Sequence, residues 1–458
     1  MKVLFIGDLR NCYNYGAIAT TESLIKMLLA KYPKAEVRYI DFRSLQNATP
    51  PDGWGQEKIA EEKNNKDHSN PLQRIKIKIV RLYYRMRHVL KFFIPYGIVK
   101  IAERITKQEI SDKKTILPPI NYHIPFLFKN FDKWAKDMMN GKVLEYEKKL
   151  FEWADIVLVN GEGNVVNGTD ENGVYRHRAC YVLFMSWVAK THFHLPVCIV
   201  NHCVDPNNSD AVEIIKNVYP LLDRVIVRDP LSLKKLVSYG INNAEYAPDA
   251  LFSYKGADVW EPSESIMSQI DFSKPFILVG DSSGIKNAYS EVSWNVQLFF
   301  KSLIERLQHI VPQVVFVDGY SGSNEDINQL IVDTGLGRIS LKNCSYQELY
   351  EVMKRAEIFV SGRWHASILC LLAGTPILLY GADSHKTKSL YSIVDYPYQF
   401  FEAISLPVHI DEIVDEVRKI LKNRPSIMAD IKEKCRILKQ QSYRNVDCID
   451  DFYNGRQK

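Results

Sequence analysis

Glu357-Ile-Phe-Val-Ser361-Gly-Arg363-Trp-His365-Ala-Ser-Ile-Leu-Cys-Leu-Leu-Ala-Gly374-Thr-Pro-Ile-Leu-Leu-Tyr380 reads as an apolar strand that breaks off at Arg-Trp-His, an apolar helix, and a second strand beyond Gly374 and Pro376. Strand, turn, helix, strand is the repeating unit of a parallel α/β sheet, and an unbroken apolar run suits a strand buried on both faces. In open sheets of this kind ligands lie beyond the carboxyl ends of the strands, where Arg363 falls. Arg363 offers a fixed fork of donors for phosphate or carboxylate, and His365 can give or take a proton near neutral pH. The following helix aims its N-terminal amides at the same place. The plainer reading is that His365 caps or packs and Arg363 pairs with an acid elsewhere in the fold.

The same rhythm runs outward from this unit. Val3-Leu-Phe-Ile-Gly7 is a strand, Asp8 to Gly16 a turn, and Thr20 to Lys31 a helix with Leu24, Met27 and Leu28 on one face. After the strand Val37–Asp41 the pattern stops for about a hundred residues, well beyond ordinary loop lengths. It resumes with strand Asp155–Asn160 and its glycine turn, strand Val197–Asn201 and strand Arg224–Arg228. Asp229 and Pro230 then form the start of a helix, as N-cap and first helical residue. A polar stretch from Tyr254 to Lys274 separates these units from a second series that begins at Pro275-Phe-Ile-Leu-Val-Gly280. The expected architecture is α/β, with two doubly wound Rossmann-like domains facing a cleft. The first covers residues 1–260 with a helical insertion at 50–150, the second residues 270–405, and a helical tail occupies 406–458.

Composition narrows the function. At 458 residues the chain exceeds what one hydrophobic core usually supports. A net charge of +5 is small for that length and argues against a nucleic-acid binder on global charge. Eight cysteines at irregular spacings, with no C-x-x-C pair, read as reduced core residues of a cytosolic protein without a structural zinc. Cys198 and Cys203 flank Asn201-His202, and packing is preferred there to a metal site. No secretory signal is visible, and no uncharged apolar run approaches the roughly 20 residues needed to span a bilayer.

Taken in order, the motifs resemble the polysaccharide pyruvyl transferase family, whose two-domain fold is similar to that of the GT-B glycosyltransferases. They are Asn14-Tyr-Gly16-Ala, Asn160-Gly-Glu-Gly163, Val225-Ile-Val-Arg228-Asp229, Asp249 in Ala-Pro-Asp-Ala, Ser361-Gly-Arg363-Trp-His365-Ala, Ala373-Gly-Thr-Pro376 and a downstream lysine, Lys386, with Lys388 as its rival. Two departures stand out: Glu162 interrupts the glycines of the middle turn, and Gly280-Asp-Ser-Ser-Gly284 stands where the family often has an arginine. The resemblance implies an enzyme that adds two hydroxyls of one sugar across phosphoenolpyruvate, releasing phosphate and leaving a cyclic ketal. It implies no cofactor or metal, phosphoenolpyruvate being the donor substrate. In that reading Arg363, Lys386 and Ser361 serve the donor, His365 moves a proton, and Asp249 and Glu162 are candidate bases toward the acceptor. Asn14, Gly16 and Asn160 lie on the acceptor side, although each could simply shape a tight turn, and Asp249 could only cap one. Arg228 and Asp229 are read as structural. A nucleotide-sugar glycosyltransferase on the same architecture is the alternative.

Within the insertion, residues 71–93 carry Leu72, Ile75, Ile79, Leu82, Tyr83, Met86, Leu90 and Phe93 at helical spacing, beside seven lysines and arginines and no acid. An amphipathic helix with a basic face suits an anionic membrane surface, where a lipid-linked sugar acceptor would be found; the same stripe could also pack on the protein.

Overall fold

The computed structural model describes residues 1–41 and 125–453, apart from 11, 13, 126, 164, 166–173, 207–208, 257–260, 288–289, 293, 319–324, 341–342 and 383. The basic stretch 71–93 lies outside the described residues. The described residues belong to one compact unit.

The compact unit holds two parallel sheets. Strands β1 (Lys2–Asp8), β2 (Glu36–Asp41), β3 (Ile156–Glu162), β4 (Val197–His202), β5 (Arg224–Val227) and β6 (Ala244–Tyr246) form the first, in the order β2-β1-β3-β4-β5-β6. The second sheet is built from β7 (Phe276–Ser282), β10 (Gln313–Val317), β11 (Gly337–Ile339), β12 (Phe359–Gly362) and β13 (Ile377–Leu379), while β8 (Lys286–Asn287) and β9 (Ser290–Glu291) form a separate short hairpin. The order of the second sheet is β11-β10-β7-β12-β13. Both orders reverse once, between β1 and β3 and between β7 and β12, which makes each sheet doubly wound as expected.

Side-chain alternation explains how helices cover both faces. On one face of the first sheet Val3, Phe5, Ile156, Leu158, Cys198 and Val200 pack against Leu24, Ile25, Met27 and Leu28 of the helix Tyr15–Lys31. The intervening residues Leu4, Ile6, Val157, Val159 and Ile199 are equally buried on the other face, so the strands read as continuous apolar runs. Residues 131–150, placed within the insertion by the sequence, lie in helices Phe131–Met139 and Glu145–Trp153 of the same compact unit as the sheets. Phe131 stacks edge-on against Phe184 and Trp187 of the helix Val174–Thr191, with ring centres 5.1 and 5.4 Å away.

The tail crosses between the domains. Helices Ile410–Lys422 and Arg424–Ser442 contribute Ile413, Val417, Ile420, Ile431 and Leu438 to the core of the second domain. Val446, Cys448 and Ile449 then enter the core of the first. Asn445 pins the crossing: its Oδ1 accepts from Asn201 N at 3.1 Å and its Nδ2 donates to Pro248 O at 2.9 Å.

Candidate active site

The ends of the strands bring the candidate residues together. Glu162 closes β3, Arg228 follows β5, Asp281 lies near the end of β7, and Arg363 follows β12. Helix Trp364–Leu372 starts at once, and contacts between helix Tyr15–Lys31 and the second domain join the two strand-end regions. Tyr15 and Ala19 of the first domain are buried in the core of the second.

His365 stands where three elements of the first domain converge. Its Nε2 is 2.9 Å from Arg228 Nη1, 3.3 Å from Asp249 Oδ2 and 3.5 Å from Glu162 Oε1. Unprotonated, that nitrogen accepts from the guanidinium; protonated, it faces two carboxylates. The ring is only 8 % exposed, so a proton held there is shielded from bulk water.

Gly16 explains how the ring fits. A Cβ at that position would stand 2.2–2.4 Å from Nδ1, Cβ and Cγ of His365, an impossible approach. The Asn-x-Gly turn therefore serves the histidine of the other domain. Asn14 is its cap, with Oδ1 accepting from Gly16 N at 2.9 Å and Ala17 N at 3.3 Å.

Arg228, read from the sequence as structural, is at the centre. Nearly wholly buried, it donates through Nη1 to Asp249 Oδ2 at 2.9 Å, reaches Glu162 Oε1 at 3.4 Å and gives its Nε to Cys203 Sγ at 3.1 Å. Burial by itself would raise the Glu162 carboxyl, but Arg228, His365, the Gly163 N–H and, least, Lys386 outweigh it and hold the group below its usual range. Burial opposes the charge of Asp249 too, and Arg228 and His365 overcome it, keeping that carboxylate ionised. Glu162 adopts φ 44°, a left-handed backbone that costs a non-glycine residue about 1–3 kcal/mol.

Asp249 is not an available base. Its Oδ1 accepts from Thr20 Oγ1 at 2.6 Å and Leu251 N at 2.9 Å, and Oδ2 takes Arg228 and, at 3.0 Å, Trp364 Nε1. It orients the guanidinium, the indole and the imidazole. Asn160 does not reach an acceptor either. It is fully buried, with Nδ2 donating to Gly7 O and Thr21 Oγ1 and Oδ1 accepting from Asn201 Nδ2. Ser361 is likewise buried, and its hydroxyl bridges Asp281 O and Arg363 N, both at 3.1 Å. It shapes the Arg363 turn from beneath.

Arg363 does pair with an acid. Its Nε and Nη2 clamp Asp281 Oδ1 and Oδ2, each at 2.6 Å, so the fork faces the carboxylate that departs from the family pattern. Alongside, Asp318 at the end of β10 pairs with Arg338. Burial pushes its carboxyl up to about 6, with Asp281 adding to the rise and Arg338 and Arg363 opposing it. Of the two candidate lysines, Lys386 acts electrostatically on Glu162 and Cys203. Lys388 is exposed and pairs with Glu402 at 3.3 Å. Among the described residues no group of three or more His, Cys, Asp or Glu side chains is placed to hold a metal ion.

The described fold is GT-B-like, two doubly wound sheets whose strand ends meet. The chain belongs to the polysaccharide pyruvyl transferase family, whose sequence model matches residues 14–384. It is therefore a transferase. No curated protein matches it. Among solved structures it is similar to Anabaena Alr3699/HepE in complex with UDP-glucose, at 13 % identity and TM-score 0.50, covering 100 % of this chain and 99 % of that one. It is similar also to Phytolacca americana UGT2 complexed with UDP-2fluoro-glucose and pterostilbene, at 9 % identity and TM-score 0.50, with 100 % of both chains covered. At such identities the likeness concerns the fold alone.

Proposed function

We propose that the protein transfers the pyruvyl group of phosphoenolpyruvate to two hydroxyls of one sugar in a surface-polysaccharide or glycolipid precursor, forming a ketal. One observation carries this reading: His365 held between a buried guanidinium and two carboxylates, beside Arg363 and near Lys386, in a chain of this family. The first hydroxyl oxygen bonds to C2 of the donor while C3 takes a proton, turning the methylene into a methyl group. The C2–O bond to phosphate then breaks, the second hydroxyl oxygen takes its place, and the second proton leaves with a base or the phosphate. His365 supplies the proton to C3, a role typically worth about 10²–10⁴ in rate. Glu162, ionised and beside it, receives the hydroxyl proton. Arg363 and Lys386 take the donor's anionic groups, and the scheme needs no cofactor.

The acceptor is lipid-linked and met at the inner face of the membrane, which the basic stretch 71–93 contacts. No helix among the described residues is long and apolar enough to cross a membrane. Incubation with phosphoenolpyruvate and a glycolipid acceptor should release one phosphate per acid-labile ketal formed; release of neither product overturns the reading.

A nucleotide-sugar glycosyltransferase is the second reading, and Asp281 favours it. By pairing with Arg363 it offsets a positive charge that a donor with both carboxylate and phosphate would use. Thermal shifts separate the two: stabilisation by a nucleotide but not by phosphoenolpyruvate would reverse the order.

A further inference from the structure

His385 precedes Lys386 and lies at the start of helix Lys386–Ile393, in the second domain, yet its side chain is held by the first. Its Nε2 is 3.0 Å from Asp229 Oδ1 and 3.2 Å from Ser232 Oγ, and its Nδ1 is 3.3 Å from Asp205 Oδ2. Its backbone N also donates to Asp205 Oδ2, at 3.4 Å. A neutral imidazole has one donor and one acceptor nitrogen, so it satisfies only one of two flanking carboxylates; the imidazolium satisfies both. Ser389 of the same helix adds a bond to Asp229 Oδ1 at 3.3 Å.

The two partners of this contact are neighbours of site residues. Asp229 follows Arg228 and His385 precedes Lys386, so one side chain ties the backbone that presents Arg228 to the backbone that presents Lys386. We infer that His385 is a positioning residue of the transferase site, a cationic latch that fixes the Lys386 helix against the Arg228 strand end by bridging Asp205 and Asp229. The inference rests on the family's activity and not on the identity of the donor.

The charged or titratable groups facing the latch are Asp205, Asp229 and Lys235 from the first domain, with Tyr246 and Arg228 behind Asp229, and Lys386 from its own helix. Burial works against the charge of His385, but the two aspartates outweigh it and raise the imidazolium to about 9. Since the folded value lies above the roughly 6.5 of an unperturbed histidine, the latch is complete below about pH 6.5 and is lost as pH rises through about 9.

Hydrogen exchange of the full-length protein, corrected for intrinsic rates, tests this. Protection of residues 386–393 and 228–234 should fall at least tenfold across a midpoint near pH 9. The midpoint should vanish in His385→Gln, which keeps a hydrogen bond but not the charge, and move lower in Asp205→Asn. In turnover, kcat/KM should fall across the same midpoint in the wild type and not in His385→Gln. Flat wild-type protection between pH 6 and 10, or a midpoint that survives His385→Gln, overturns the inference; should that variant not fold, an unmoved midpoint in Asp205→Asn does so. A wild-type protein inert toward phosphoenolpyruvate would sink the donor assignment, whereas the exchange measurement uses no substrate.

Discussion

At Gly16 a methyl group would stand within 2.4 Å of the His365 ring, so Gly16→Ala must expel the imidazole or shift the helix that carries it. Turnover should fall by about two to three orders of magnitude, the scale of a lost proton-transfer group, with a cooperative melting transition retained. A Gly16→Ala protein with near-wild-type kcat would remove His365 from the chemistry. How far the site was legible follows from where its partners lie along the chain. Arg363 and His365 stand two apart at the end of an apolar strand, a local pattern. The place of Arg228 beside His365 was not legible because Glu162 lies 66 residues away and His365 137, whereas the Asp-Pro that follows it looked like ordinary helix capping. The buried bonds of Asn160 and Ser361 were not legible either, since a polar residue at a strand end reads the same whether it faces a ligand or a buried network.

The strands were the legible elements, because a parallel strand buried on both faces carries a continuous apolar run, and β1, β3, β4, β7, β10 and β12 each contain one beside their polar ends. The boundary of the insertion was not, because helices Phe131–Met139 and Glu145–Trp153 interrupt the strand rhythm while belonging to the compact unit that holds both sheets. At the opening helix the structure separates two readings of Asn14. As a cap for helix Tyr15–Lys31 it should contribute about 1 kcal/mol. Asn14→Ala should lose that amount in chemical denaturation and leave the KM of the acceptor within about twofold. A large rise in that KM with unchanged stability would return Asn14 to the acceptor's contacts.

Across the whole molecule, side chains of one domain meet residues of the other: Gly16 admits His365, Asp249 holds Trp364, and Asp229 grips His385. The role proposed for the basic stretch 71–93 separates by experiment from that of the strand-end residues. Reversing Arg74, Lys78, Arg81 and Arg85 to Glu should release the protein from anionic liposomes and slow reaction with a lipid-linked acceptor, while a short soluble acceptor reacts near normally. Each such cation contributes about 1 kcal/mol near an anionic surface, an attraction that salt screens. A wild-type protein that ignores liposomes at low salt contradicts this part.

The proposed reaction breaks the bond from the donor's bridging oxygen to carbon and not its bond to phosphorus. Phosphoenolpyruvate carrying ¹⁸O in the bridge between C2 and phosphorus distinguishes these, read by the isotope shift of the released phosphate in ³¹P NMR. The addition and elimination proposed at His365 require the label to depart with phosphate. Label retained in the three-carbon product, or no phosphate released with a competent acceptor present, contradicts it.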